Sequence, residues 1–200
     1  MPNQPTGEAV RAWATLIAGT DGTNGRVLKT DAAGNLQTAR TDATSDGYGT
    51  TTTVTRPANT TAYTAGDVVG AAAAAIGLGV MGPSAGDILI TSAALEIDVA
   101  AVPAGMTTFR LALYNATPPS ALADNAAFDI PSGDRASFLG FIDLGTPVDE
   151  GSTLYVQAQN INKHVTLSGT NLFAYLITAG GFTPAGNSEV YKVTLKAVAV

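Results

Sequence analysis

Chemistry in this chain would have to start at His164, its only histidine, because the sequence holds no cysteine. A nucleophilic triad needs a base beside the attacking serine or cysteine and a third group to orient that base. His164 lies between Lys163 and Val165 in an alternating stretch that turns it to water, and no partner for it can be named, so an exposed structural histidine is expected. Asp124, Asp129 and Asp134 recur every five residues in one loop, and oxygen-rich loops can hold calcium. Their spacing lacks the alternate-position order of a calcium-binding loop, so turn and capping roles are expected instead. Glu96 and Asp98 fall two apart on one strand face, as a glycosidase pair could. The better expectation is a solvated face. Neither Gly19–Gly25 nor Gly66–Gly86 carries the lysine of a phosphate-binding loop. No catalytic residue, cofactor site or metal site is assigned.

These residues sit on a framework set by Ser152–Gln159 and Asn171–Thr178. In the first, Leu154, Val156 and Ala158 alternate with Tyr155, Gln157 and Gln159, a period of two that turns one face to a core. In the second, Leu172, Ala174 and Leu176 mark one face while Phe173, Tyr175 and Ile177 make the other apolar too, as in a strand covered on both sides. Asn160–Thr170 reads as the polar connection between them. Further strands are expected over Thr50–Arg56, through Ile76–Val80 with its two glycines leaving one face bare, over Asp87–Ala100, Met106–Asn115, Ser137–Leu144 and Glu189–Val200. Ala116–Ala136 reads as a long excursion with one helical turn near Ala121–Phe128, of a length that tends to be functional. About eight strands at short spacing, with no long amphipathic helix, predict an all-β protein: an antiparallel jelly-roll-like β-sandwich over residues 50–200.

Residues 1–49 read as an N-terminal extended β-arm and linker. Its bulky apolar side chains are chiefly Val10, Trp13, Leu16, Ile17, Val27, Leu28 and Leu36, too few for an independent core. They are expected to form an interface on a partner surface, with Trp13 as its anchor. A charged fraction of 13%, about half the usual share, leaves a bland surface suited to burial between subunits. A net charge of −6 with no basic patch argues against nucleic acid as a partner. With no signal-peptide pattern at the start and no apolar run long enough for a bilayer, no membrane partner and synthesis in the cytoplasm are expected. Aromatic residues number 13 of 200, which disfavours a sugar-binding platform.

Three phrases carry a resemblance. Asp21-Gly-Thr-Asn-Gly-Arg-Val-Leu-Lys-Thr-Asp-Ala-Ala-Gly-Asn-Leu36 resembles a sequence common in structural proteins of tailed bacteriophages. Thr55-Arg-Pro-Ala-Asn-Thr-Thr-Ala-Tyr-Thr-Ala-Gly-Asp-Val-Val69 is similar to another recurrent phage virion phrase. Phe109-Arg-Leu-Ala-Leu-Tyr-Asn-Ala-Thr-Pro-Pro-Ser120, with Ser132-Gly-Asp-Arg-Ala136, resembles a set of phage and prophage proteins. The resemblance implies a non-enzymatic virion protein, similar to a head decoration or capsid cement protein. It would be a homo-oligomer, a homotrimer filling three-fold positions, bound to the major capsid protein on the outer head surface. A tail, baseplate or fibre component is the alternative, and a carbohydrate-binding β-sandwich module the second.

Overall fold

The computed structural model describes residues 19–20, 25–26 and 47–200 apart from Ala72. The expected arm interface, Val10, Trp13, Leu16, Ile17, Val27, Leu28 and Leu36, lies outside the described residues. The chain divides into two compact units, Met1–Ala43 and Thr44–Val200. In the first, β1 (Gly19–Thr20) pairs antiparallel with β2 (Gly25–Arg26).

The second unit begins its first strand, β3 (Gly47–Thr55), three residues earlier than the sequence suggested. There follow β4 (Val68–Val69), β5 (Ile76–Val80), β6 (Asp87–Ile97), β7 (Phe109–Tyr114) and β8 (Phe138–Gly145). The last four are β9 (Val148–Asp149), β10 (Leu154–Thr166), β11 (Asn171–Thr178) and β12 (Val190–Ala199). One sheet has the order β3-β12-β6-β10-β9 and the other β4-β11-β7-β8, with β5 also paired to β11. Every pairing is antiparallel. With β4 and β5 taken as one interrupted strand and the two-residue β9 set aside, eight strands remain, in the orders 1-8-3-6 and 2-7-4-5. That interleaving is the double Greek key of a jelly roll.

Alternation explains why these residues form these strands. On β12, Tyr191, Val193, Leu195 and Ala197 are buried while Lys192 and Lys196 stay in solvent. Ile88, Ile90, Leu95 and Ile97 of β6 and Leu111 and Leu113 of β7 meet them between the sheets. Each such aliphatic side chain contributes about 1.5–3 kcal/mol on burial. β11 is covered on both sides, as its sequence predicts: Leu172, Ala174 and Leu176 join the inter-sheet core, and Tyr175 and Ile177 a second cluster on the outer face.

Two local expectations are corrected. The stretch from Asn160 to Thr166 is strand, not connection, and β10 runs on to Thr166. Between Gln159 and Lys163 its register on β6 shifts, and Asn160 (φ 55°) and Asn162 (φ 51°) turn left-handed, which breaks the period of two that marks a strand. The helical turn near Ala121–Phe128 is absent, because Ala121 (φ 43°) and Asn125 (φ 63°) are incompatible with a right-handed helix. β5 is a strand as expected, and at Gly79 its bare face lies against Thr50 of β3, whose Oγ1 would stand 3.2 Å from an added Cβ. Among the described residues no helix is long and apolar enough to cross a membrane.

Candidate functional site

The residues with chemical potential are dispersed. His164 is exposed on β10, opposite Leu89 of β6. Glu96 faces solvent and meets Lys192 at 3.8 Å, an exposed ion pair, while Asp98 lies exposed just past the end of β6. The three loop aspartates take three separate structural tasks. Asp134 is buried and accepts from the Ser120 backbone N–H at 3.2 Å and from the Ser120 hydroxyl. Asp129 accepts from the Ile130 N–H at 2.7 Å. Asp124 accepts from the Tyr63 hydroxyl at 2.6 Å and the Gly70 N–H at 3.0 Å, and pairs with Arg56 at 3.4 Å. Among the described residues no group of three or more acidic or histidine side chains could hold a metal ion.

Arg56 is the feature the sequence did not announce. It directly follows β3 and precedes Pro57, which cannot continue the ladder, and the residue is 2% exposed. Its Nε donates to the Tyr63 hydroxyl, which in turn donates to Asp124, and its guanidinium carbon sits 4.8 Å from the Tyr63 ring centre. Burial by itself would push this guanidinium down, but Tyr63 and Asp124 hold it above its ordinary value. Tyr63 is raised, first by burial and then by its bond to Asp124. The phrase Thr55–Val69 is thus the crossover between the two sheets, with Arg56 at one end and Val68–Val69, as β4, at the other. Asp67 closes its middle by accepting from the Thr64 N–H at 2.6 Å and hydroxyl at 2.9 Å.

The other distinctive place is the flank where β8 and β10 run beside each other at the edges of opposite sheets. A cleft of about 500 Å3 opens there, lined by Phe141, Asp143, Gln159, Ile161, Asn162 and Lys163. Both strands are irregular at the cleft: β10 bulges at Asn160–Asn162, and the β7–β8 register shifts beside Gly140 (φ 92°). The opposite flank is closed, with the Thr52 hydroxyl donating to the Gly77 carbonyl at 2.8 Å across the sheets. The sequence hid this cleft because the bulge on β10 reads as loop, which conceals that the strand continues alongside β8.

No known protein family matches the chain, and no curated protein matches it. Among solved structures it is similar to a chain of the cyanophage Pam1 capsid asymmetric unit, at 15% identity over 85% of this chain and 96% of that one, with a TM-score of 0.36. It is similar to a chain of the capsid of Ralstonia phage GP4 at 17% identity over 81% and 90%, with a TM-score of 0.39. The Israeli acute paralysis virus particle provides a third, at 13% identity over 92% and 91%, with a TM-score of 0.31. The jelly-roll assignment rests on the strand order and not on these distant likenesses, all three of which are to chains of virus particles.

Proposed function

We propose that this chain is a non-enzymatic structural component of a tailed-phage virion, and within it a decoration or cement protein that binds the outer head surface. The observation that supports it most is the coincidence of phrase and fold. The virion-like phrase Thr55–Val69 is not a surface tag; its Arg56, Tyr63, Asp67, Val68 and Val69 are the buried residues of the jelly-roll crossover. Its charged side chains are spent on structure, since Arg56 is tied to Asp124 and Asp67 to Thr64. In this reading the protein is a homotrimer on the major capsid protein, and Val10, Trp13, Leu16, Ile17, Val27, Leu28 and Leu36 form the contact between subunits or with the head. The virion surface is its location.

Antibody labelling of virions by electron microscopy tests the reading, with label over the whole head expected; label confined to the tail would replace it with a tail, baseplate or fibre role. Deleting residues 1–43, which ends at the boundary between the two units, is expected to leave the thermal unfolding of the jelly roll intact and to abolish binding to undecorated heads. Trp13→Ala alone is expected to weaken that binding by about 2–4 kcal/mol, the range of an interface hot spot.

A further inference from the structure

Among the described residues, the margins of the two large sheets are guarded everywhere but at β3. β4 and β9 are two residues long, β10 is bulged, and the registers of β5 on β11 and of β8 on β7 shift. Short, bulged, charged or proline-bearing edge strands are the usual guard against pairing with another sheet. β3 has none of these devices. Its nine residues, Gly47–Thr55, run against β12 without a register shift, carry no charge and no proline, and are rich in threonine, which suits a strand. Its outer edge faces no other strand among the described residues.

The outward groups of that edge can be assigned. The Arg56 N–H donates to the Glu189 carbonyl at 3.0 Å, so the residues two, four and six positions before it, Val54, Thr52 and Thr50, also bond to β12. The N–H and C=O groups of Gly49, Thr51, Thr53 and Thr55 therefore point away from the sheet, and all four residues are exposed. Beside them runs a groove of about 190 Å3, lined by Thr52, Val54, Ala71, Ala75, Ile76 and Gly77. The spacing selects the occupant. The four outward residues are symmetric about Thr52, so a two-fold axis there sets Thr51 opposite Thr53 of a second copy and Gly49 opposite its Thr55, and every outward N–H finds a carbonyl. Although each chain carries a net charge of −6, no like charges face each other in this pairing. Threonine meets threonine, as Thr51 and Thr194 already do through their hydroxyls at 2.8 Å. The inward Thr50 and Thr52 of the second copy are small enough for the groove. We propose that β3 pairs antiparallel with β3 of a second copy, which joins the two five-stranded sheets into one. The contact is separate from the one proposed for the arm, and in a homotrimer it links one trimer to the next. It does not depend on the virion role.

Because the chain has no cysteine, single cysteines report the register in the full-length protein. At the two-fold axis Thr52 faces its own copy in a non-hydrogen-bonded pair, whose Cα atoms lie about 4.5 Å apart, within the span of a disulfide. Under mild oxidation Thr52→Cys is expected to give a cross-linked dimer, and Thr51→Cys and Thr53→Cys to cross-link better when mixed than either does alone. Thr53→Pro removes an outward N–H that β12 does not use. It is expected to keep the thermal unfolding of the parent and to weaken the pairing step in sedimentation about tenfold, the loss of two hydrogen bonds per dimer. Thr53→Lys, which adds a guard charge at an exposed position, is the second variant and is expected to weaken pairing likewise. Thr52→Cys that stays uncross-linked overturns the proposal, including where the chain still associates, since the occupant or the face would then be another. So does equal cross-linking of all three cysteine variants alone, or pairing unchanged in whichever of Thr53→Pro and Thr53→Lys folds.

Discussion

On the outer face of the sheet β4-β11-β7-β8, Ala112, Tyr114, Tyr175 and Ile177 are buried beneath the loop 116–136. On the outer face of the other sheet, Thr51, Lys192, Thr194, Glu96 and Gln157 meet water directly or in part, joined by light contacts such as the Thr51–Thr194 hydroxyl pair at 2.8 Å. Both faces are made by the same alternation, so the pleat does not decide which is covered. The loop does, and it is fastened by polar groups: the Leu122 N–H donates to the Tyr175 hydroxyl at 3.0 Å, the Val68 N–H to the Ala126 carbonyl at 2.8 Å, and Asp124 holds Arg56 from the far sheet. An apolar sheet face can thus be roofed by irregular chain when the roof is tied at buried charges, whereas the polar face needs no roof.

The largest expected effect is alkaline unfolding of the roofed and clamped side. Burial first, and then Asp124 for Tyr63, Asp134 for Tyr114 and Glu189 for Tyr191, raises these three hydroxyls above the ordinary tyrosine value. In the unfolded chain they lose their protons near about pH 10, while in the fold they keep them. The unfolded state then binds fewer protons, so the stability they contribute is intact below about pH 10 and falls as the pH rises beyond it, by up to about 4 kcal/mol per pH unit for three protons. Denaturant unfolding across this range is the measurement. A flat profile would show that the three hydroxyls ionise in the fold as they do outside it.

Next comes Asp124→Asn. It leaves Arg56 buried with its charge uncompensated, and breaking such a pair costs about 3–5 kcal/mol. The amide can still accept from Gly70, so a loss well under 1 kcal/mol in chemical denaturation would mean that the clamp is not what holds the loop.

How far the sequence revealed this division can be judged residue by residue. The apolar outer face of β11 was legible, because Phe173, Tyr175 and Ile177 break the usual polar alternation. The roof was not. Sequence spacing marks 116–136 as long, but nothing local says that Asp124 reaches a residue 68 positions away in Arg56, since charged side chains are ordinarily exposed. Alternation failed at Asn160–Asn162, where two left-handed asparagines bulge the strand and interrupt the period of two. The arm side chains from Val10 to Leu36 are a proposal that the described residues do not reach.

A smaller effect is expected at Tyr114. Its hydroxyl lies under the roof with no hydrogen-bond partner among the described residues. Burying an unpaired hydroxyl costs about 1–3 kcal/mol in protein mutational series. Tyr114→Phe keeps the ring contacts with Phe138 and Tyr175, at 5.3 and 5.8 Å between centres, and removes the unpaired oxygen. Thermal unfolding is expected to move upward or stay level. A clear fall would reveal a bonded hydroxyl, held by a water under the roof.

The smallest effects belong to the open face, and they put the comparison itself at risk. Glu96 and Lys192 are 40% and 49% exposed in their side chains and 3.8 Å apart, so water screens the pair and it is expected to contribute under about 0.5 kcal/mol. His164→Ala, at an exposed position with no assigned partner, should be equally silent. Glu96→Gln, Lys192→Met and His164→Ala should therefore leave the unfolding midpoint unchanged in dilute solution, unlike the changes at Asp124. Repeating the three at a much higher protein concentration makes the test sharper. Any group that binds the folded state stabilises it by mass action, so a face covered by a second copy would give variants whose midpoints diverge from the parent only when concentrated. Midpoints that coincide at both concentrations keep the polar face open in the isolated protein. Divergence on concentration would mean that this face, too, has a roof, supplied by another subunit in place of a loop.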